Sequence, residues 1–153
     1  MNLMICISGI PCTGKTTICK MLNDNNLKCI NLNDIAYENK IIDNDTVDID
    51  SLKKIYINYD IVESHYSHLI NCSYVIILKD DEDKLIKRMK KRGYNDSKIN
   101  ENLDAQRSDT IYYEALEHLP ENHIFIINEN SRNINSVFNE IFNLILSLDK
   151  KVN

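Results

Sequence analysis

No stretch of this sequence approaches the roughly 18 consecutive apolar residues that a membrane-spanning helix needs. The first residues lead directly into a strand-like apolar run, without the pattern of a secretory signal peptide. Internal repeats and linkers are also absent, and 153 residues are about the length of one domain. We therefore predict a single domain over residues 1–153 of an intracellular protein, cytoplasmic or, in a eukaryote, also nuclear, with no membrane contact.

An excess of positive charge is lacking as well. The formal net charge is -5 and the pI is about 5.3, which argues against a nucleic-acid surface spread over the whole protein. A local basic patch is compatible with this balance, but we predict no direct contact with nucleic acid. Any affinity for phosphate must therefore come from a local feature.

Cysteine pairs of the C-x-x-C type are missing. The five cysteines, an odd number, stand at positions 6, 12, 19, 29 and 72. We expect all of them to be thiols, with Cys6, Cys29 and Cys72 as small core residues in or beside apolar strands.

The stretch from Gly9 to Thr17, in contrast, carries a specific motif. It reads Gly-Ile-Pro-Cys-Thr-Gly-Lys-Thr-Thr and fits G-x-x-x-x-G-K-[ST], the phosphate-binding loop. The motif requires a buried strand before it, which residues 3–8 predict, and a helix after it, which the following apolar positions predict. Gly9 and Gly14 allow the amides to turn toward an anion. A helix that opens near Lys15 adds unpaired amides and the positive end of its dipole.

The polar side chains at the end of this loop have separate predicted roles. Lys15 reaches the β and γ phosphates of a triphosphate, Thr16 places its hydroxyl on Mg²⁺, and Thr17 serves an inner phosphate. The other loop residues predicted to contact the nucleotide are Gly9, Pro11, Cys12, Thr13 and Gly14. The predicted cofactors are therefore ATP and Mg²⁺.

Beyond the loop, apolar runs alternate with amphipathic patterns, which predicts an α/β fold with a parallel sheet covered on both faces. The predicted strands lie at residues 3–8, 28–32, 57–63, 74–78 and 123–128. Between the second and third strands we predict a helix capped by Asn33 or Asp34, an acidic loop over 40–50 and a helix from Ser51. After the fourth strand we predict a basic helix that ends at Gly93 and one long helix that ends near Leu119. The carboxylates of the acidic loop are expected to face solvent and are Asp43, Asp45, Asp48 and Asp50.

One carboxylate and three arginines are placed to serve phosphoryl transfer. Glu63 ends the third predicted strand, where side chains of a doubly wound sheet face the ligand crevice. We predict that it binds Mg²⁺ through water or orients an attacking water. Arg88 and Arg92 stand one helical turn apart and face the segment that Arg107 borders, a grouping suited to neutralising a phosphoryl group. A surface carboxylate and a solvated basic helix would carry the same residue types.

Three stretches form a more specific combination. They are the loop at 9–17, Glu-Ser-His-Tyr-Ser-His at 63–68, and Arg-Gly-Tyr-Asn-Asp-Ser-Lys-Ile-Asn-Glu-Asn at 92–102. Together they resemble the adenylate kinase isoenzyme 6 family over nearly the whole chain. The resemblance implies a P-loop nucleoside triphosphate hydrolase fold of the nucleoside monophosphate kinase type, with a five-stranded parallel sheet. It also implies a monophosphate-binding segment at about 33–56 and a short lid at about 93–107.

The resemblance further implies roles on the donor side of the site. Arg88 would lie against the donor base, and Arg92 would serve the transferring phosphate. Glu63 would match the acidic residue that ends the family's third strand. Asn128 and Ser131 belong to the segment after the last strand, which would border the adenine.

On the acceptor side the sequence departs from ordinary adenylate kinases. Asn33 and Asp34 open the implied monophosphate-binding segment, but that segment contains no arginine, whereas ordinary adenylate kinases grip the acceptor phosphate with one. The usual Gly-Phe-Pro-Arg stretch after the third strand is also absent. His65 or His68 is the predicted substitute, although neutral imidazole is a weaker anion ligand than guanidinium. Arg107 is the remaining predicted substrate contact.

Two functions stay open at this stage. The first is transfer of the γ-phosphoryl group of Mg-ATP to AMP, which would make the chain an adenylate kinase. The second is an ATPase switch that assists small ribosomal subunit assembly through a ribosomal protein. A kinase of another small metabolite is a third, less favoured reading, and thymidylate kinases are disfavoured because their Asp-Arg-Tyr stretch is missing. We expect a monomer or a weak dimer.

Overall fold

The computed structural model describes residues 3–43 and 46–152, with side chains as far as residue 150. Its strands are β1 (Ile5–Ser8), β2 (Cys29–Asn31), β3 (Ile42–Asp43), β4 (Thr46–Val47), β5 (Ile61–Glu63), β6 (Tyr74–Lys79) and β7 (Ile124–Asn128). Its α-helices are α1 (Lys15–Asp24), α2 (Leu32–Glu38), α3 (Ile49–Leu52), α4 (Glu82–Lys91), α5 (Asp96–Arg107), α6 (Thr110–Leu116) and α7 (Ile134–Val152).

The strands confirm the predicted five-stranded parallel sheet, in the order β2, β5, β1, β6, β7. All four residues of β1 are buried, as expected for a central strand covered on both faces. From β1 the chain builds β2 and β5 on one side and then crosses to β6 and β7 on the other. The loop after β1 therefore lies at the switch point where sheets of this kind bind ligands.

Helices cover both faces of this sheet. On one face α1 and α7 pack against β1 and contribute Ile18, Leu22, Val137, Ile141 and Ile145. On the other face α2, α3 and α6 contribute Leu32, Leu52 and Ala115. A third cluster joins Ile10 and Cys12 of the loop to Leu85, Met89, Ile99 and Leu103 of α4 and α5. None of the helices that the structure describes is long and apolar enough to cross a membrane.

The single long helix predicted to end near Leu119 is wrong, because the structure divides it into α5 and α6. The backbone turns left-handed at Asp109, with φ of 50°, and the Asp109 carboxylate accepts a hydrogen bond from Lys79 Nζ at 2.7 Å. α5 also begins earlier than predicted, because Asn95 caps it by accepting a hydrogen bond from the Lys98 amide at 2.8 Å. The stretch read as a connector thus provides the first turn of α5.

Two other helices begin earlier than predicted, α2 at Leu32 and α3 at Ile49 instead of Ser51. α2 is capped by Asn31, whose Oδ1 accepts from the Asn33 amide at 2.7 Å, so neither Asn33 nor Asp34 is the cap. α3 is capped by Asp48, which accepts from the Ser51 amide at 3.2 Å and from its hydroxyl at 2.7 Å. In each case an Asn or Asp one to three residues upstream satisfies the first free amides of the helix.

The predicted acidic loop over 40–50 contains the antiparallel pair β3 and β4. Asp45 lies outside the described residues. β5 is shorter than the predicted strand and begins at Ile61, the residue that pairs with both β1 and β2.

The prediction that all cysteines are thiols is wrong for four of them. Cys6 is bonded to Cys72 and Cys19 to Cys29, with Cα atoms 5.9 and 5.4 Å apart, within the usual range for disulfides. Cys12 is a buried free thiol. Residues 66 positions apart become neighbours only when β1 and β6 pair, so spacing alone carries no sign of that bond. Both bonds tie an element that flanks the loop to its neighbour.

Candidate active site

A cleft of about 350 Å³ opens at the carboxyl ends of β1, β2 and β5. The loop after β1 lines it with Pro11, Cys12, Gly14, Lys15, Thr16 and Thr17. The surrounding elements add four more predicted residues, Asn33, Glu63, His65 and Arg92. The fold therefore brings the loop motif together with the end of β5 and the end of α4.

The loop is a tight turn whose shape depends on small residues. A Cβ atom at Gly9 would meet the Leu78 carbonyl oxygen at 2.8 Å, and Gly14 has φ of 89°, a conformation that glycine adopts without strain. Cys12 also has a positive φ, 73°. Inside the turn the buried Thr13 hydroxyl donates to the Ile10 carbonyl at 2.9 Å, and Thr13 does not line the cleft.

Lys15 is the first residue of α1 and lies within the loop. It is 7% exposed, and its Nζ donates to the Gly9 and Ile10 carbonyls at 2.9 and 2.8 Å. Burial lowers its pKa to about 8, although the nearby charge of Glu63 acts in the opposite direction. The ammonium is thus held inside the loop by its carbonyl oxygens, beside the cleft that Lys15 lines.

Glu63 is nearly inaccessible to solvent, at 1% exposure. Neither of its carboxylate oxygens has a hydrogen-bond partner among the described residues. Burial raises its pKa, while Lys15 and the nearby polar side chains of Asn31 and Thr16 lower it. Buried carboxylates are normally paired, so two free oxygens beside a threonine hydroxyl suit a hard cation.

These donors fit Mg²⁺ only as part of its shell. Within residues 3–43 and 46–152 no group of three or more His, Cys, Asp or Glu side chains could hold a metal ion alone. Thr16 and Glu63 would therefore share the ion with phosphate oxygens and water, as Mg²⁺ in nucleotide sites generally requires. When bound, the ion would neutralise charge on the phosphates.

The two predicted acceptor histidines occupy different environments. His65 is exposed and lines the cleft, and its pKa is lowered by partial desolvation of the ring and by the charge of Lys15. His68 is 2% exposed, with Nδ1 2.8 Å from Ser8 Oγ and Nε2 3.0 Å from Glu114 Oε1. It joins β1 to α6 inside the protein. The structure therefore contradicts its prediction as a substrate contact.

Arg88 and Arg92 both reach the loop, but they do so differently. Arg92 lines the cleft, and its charge helps to lower the pKa of Lys15. Arg88 does not line it; its Nη1 donates to the Cys12 carbonyl at 3.0 Å and to Asp80 Oδ2 at 2.8 Å. Arg88 therefore braces the loop from the side of α4, while its side chain stays 45% exposed.

Arg107 lies away from the cleft. Its guanidinium pairs with the Glu82 carboxylate at the start of α4 and with Asp104 Oδ1 at 3.1 Å, and about half of the side chain is exposed. The structure does not bring it to the site, because its guanidinium is engaged by Glu82 and Asp104 and Arg107 does not line the cleft.

The remaining predicted contacts have different positions. Asn33 lines the cleft and accepts a hydrogen bond from the Tyr66 hydroxyl. Asp34 is exposed in the first turn of α2 and is not among the lining residues. Asn128 and Ser131 lie at and just after the end of β7, also outside the lining.

Other lining residues had no predicted role. They are Asn31, Ser64, Tyr94, Lys98 and Asn102. Lys98 and Asn102 stand four residues apart, so both lie on one face of a helix. The sequence could have indicated this only if the start of α5 at Asp96 had been predicted.

Glu129 was missed as well, and it lies beside the loop. It is 6% exposed, its Oε2 lacks a hydrogen-bond partner among the described residues, and its Oε1 would be 3.6 Å from a Cβ atom at Gly14. Burial, with the nearby carboxylate of Asp80, raises its pKa to about 7. No sequence pattern distinguishes Glu129 from an ordinary solvent-exposed carboxylate in the loop after β7.

Known proteins are similar to this chain along most of its length. A family model described as an AAA domain matches residues 5–109. A protein of Thermoplasma acidophilum named "Putative adenylate kinase" is 51% identical over 134 residues, which cover 86% of this chain and 90% of that protein. Proteins of the same name from Thermoplasma volcanium and Pyrococcus furiosus are 42% and 33% identical and align with 83% and 95% of this chain, covering 85% of each relative.

Solved structures are similar in fold at low identity. Thymidylate kinase from Candida albicans superposes with a TM-score of 0.55 and 14% identity, over 97% of this chain and 92% of that one. A protein from Eubacterium ventriosum has a TM-score of 0.58 and 12% identity, over 96% of this chain and 99% of that one. The fold is that of P-loop nucleoside monophosphate kinases, as predicted.

Proposed function

This chain belongs to the adenylate-kinase-like family of those archaeal relatives, and we propose that it is a nucleoside monophosphate kinase that transfers the γ-phosphoryl group of ATP to AMP. One observation carries the proposal. The cleft does not end at the phosphate loop but continues past Glu63 to a polar wall with Asn33, His65 and Lys98. Polar groups on that side suit a second ligand, which hydrolysis of ATP alone would not require.

The donor side would use the loop residues for binding. Gly9 to Thr17 would surround the phosphates with main-chain amides, and Lys15 would neutralise the β and γ groups. Thr16 and, through water, Glu63 would hold Mg²⁺. Arg88 would lie against the donor base, near the turn that contains Asn128 and Ser131.

The transfer itself would be in line, without a covalent intermediate. Arg92 would stabilise the charge that develops on the transferring phosphoryl group, and the segment 93–107 would act as the lid. Residues 33–56 would hold the monophosphate through Asn33. His65, which follows β5, would face the monophosphate as well. Positioning and charge neutralisation by these groups would supply the catalysis.

An ATPase switch that acts on a ribosomal protein is the second candidate. It is favoured by the absence of an arginine from segment 33–56 and by a buried, unpaired Glu63 that could orient water as well as metal. Both functions need the same donor site, so the acceptor dependence of turnover separates them. The narrower resemblance to isoenzyme 6 stays a prediction.

The decisive assay measures ADP formation from Mg-ATP with AMP, CMP, UMP, dTMP or no acceptor. We expect two ADP for each AMP consumed, well above the rate without acceptor. Lys15→Met should lower this rate by about 10²-fold or more, because it removes a preorganised charge at the phosphates. Lys20→Met, on the exposed face of α1, is the matched control and should retain the rate. Phosphate release that no monophosphate accelerates would support the switch instead.

A further inference from the structure

We propose that Lys98 binds the phosphate of the acceptor nucleotide, and so sets the affinity for the monophosphate. This inference rests on the proposed function, since it assigns a ligand to the second wall of the same cleft. It replaces His68, which the structure buries, and it supplies a positive charge to a cleft in which segment 33–56 is represented by Asn33 alone among the described lining residues.

The cleft has few groups that can balance a phosphate dianion. Among the described residues that line it, the side chains that are cationic at neutral pH are Lys15, Arg92 and Lys98. Asn31 at the end of β2 and Asn33 at the start of α2 contribute only neutral amides to this lining. A second phosphate bound beside Glu63, itself a carboxyl group, therefore requires one of these three cations.

The three cations differ in what already engages them. Lys15 Nζ donates to the Gly9 and Ile10 carbonyls inside the loop. Arg92 follows the last residue of α4 and is the group proposed above for the transferring phosphoryl group. Lys98, in the first turn of α5, is the remaining cation of the lining and is therefore the one available to a second phosphate.

The local structure directs the Lys98 side chain. Its amide donates to Asn95 Oδ1 at 2.8 Å in the first turn of α5, which fixes the backbone. Its Nζ lies 4.5 Å from the centre of the Tyr94 ring, and Tyr94 also lines the cleft. A cation over an aromatic face is partly oriented but retains free N–H donors for an anion.

The test compares Lys98→Met and Lys98→Arg with Lys91→Met. Lys91 is exposed at the end of α4 and does not line the cleft, so it controls for a general loss of positive charge. AMP binding is measured by calorimetry without ATP, and the Michaelis constants for AMP and ATP are measured in the ADP assay. We expect Lys98→Met to raise the dissociation constant and the Michaelis constant for AMP about tenfold or more. The constant for ATP should change less than about twofold.

Lys98→Arg should recover most of the AMP affinity, because it keeps the charge, whereas Lys91→Met should leave all three constants unchanged. The inference is overturned if Lys98→Met leaves AMP binding intact, or raises the ATP constant as much as the AMP constant. Wild-type protein that binds no AMP would overturn it too. Wild-type protein that binds AMP through Lys98 but does not phosphorylate it would support the assigned site and refute the proposed reaction.

Discussion

The two sides of the cleft are built in different ways. The loop side is formed by the main chain of residues 9–17 and by the buried charged groups Lys15, Asp80 and Glu129, with the half-exposed Arg88 bonded to the loop. The opposite wall presents His65 and Lys98, both exposed side chains. A buried charge keeps its position because packing and hydrogen bonds surround it, whereas an exposed side chain is placed by its own rotamers. Changes on the loop side should therefore alter stability, and changes on the opposite wall should alter affinity alone.

The largest stability effect should come from the disulfide that ties β1 to the segment before β6. Cys72→Ser opens a closed loop of 66 residues, and the chain-entropy relation gives a loss of about 4 kcal/mol in the free energy of unfolding. The corresponding value for Cys29→Ser, with a separation of 10 residues, is about 3 kcal/mol. Urea denaturation measures both.

A reductant provides the control for these variants. It should lower the urea midpoint of the wild type and leave the Cys29→Ser, Cys72→Ser double variant unchanged. If the wild-type midpoint does not change when both disulfides are fully reduced, the bonds do not contribute to the rigidity of the loop side.

A smaller effect should appear in the pH dependence set by Glu129. Burial raises its pKa from the ordinary 4.5 to about 7, so the folded state keeps a proton that the unfolded state releases. The stability associated with this group is present below pH 4.5 and falls as pH rises toward 7. At 1.36 kcal/mol per pKa unit the decline is about 3 kcal/mol.

Glu129→Gln should remove that decline, because the amide does not titrate. The measurement is the free energy of unfolding in urea at several values between pH 4.5 and 7.5, compared between the variant and the wild type. Glu140→Gln, an exposed carboxylate on α7 that pairs with Arg132, serves as the matched change and should preserve the slope. Parallel curves for wild type and Glu129→Gln would mean that the carboxyl is ionised in the folded protein.

The smallest effect should follow Arg107→Gln. Its guanidinium pairs with Glu82 and Asp104 at the surface, where ion pairs contribute little. We expect both Michaelis constants in the ADP assay to change less than about twofold. A selective rise in the Michaelis constant for AMP would show that Arg107 leaves Glu82 and Asp104 and reaches the acceptor. In that case α5 would have to move during the reaction.

Part of the site was predictable because its signals are local. The loop motif, the strand before it and the helix after it lie within about 20 consecutive residues, so their order alone predicts the turn. Glu63 was found in the same way, from its place at the end of a strand. The contacts of Arg107 with Glu82, of His68 with Glu114 and of Cys6 with Cys72 were not, because these partners are 25 to 66 residues apart in the chain.

By itself the sequence determined the parallel sheet, the phosphate loop and the residues at its carboxyl edge, because apolar periodicity and glycine placement act over a few residues. Only the tertiary structure decided which of two nearby histidines reaches the cleft, which arginine stays at the surface, and that Lys98 joins the opposite wall. Those outcomes depend on where α5 begins and breaks, and on how β1 and α6 enclose His68. Such contacts join residues distant in the chain, and a one-residue shift in a helix boundary changes which side chains they bring together.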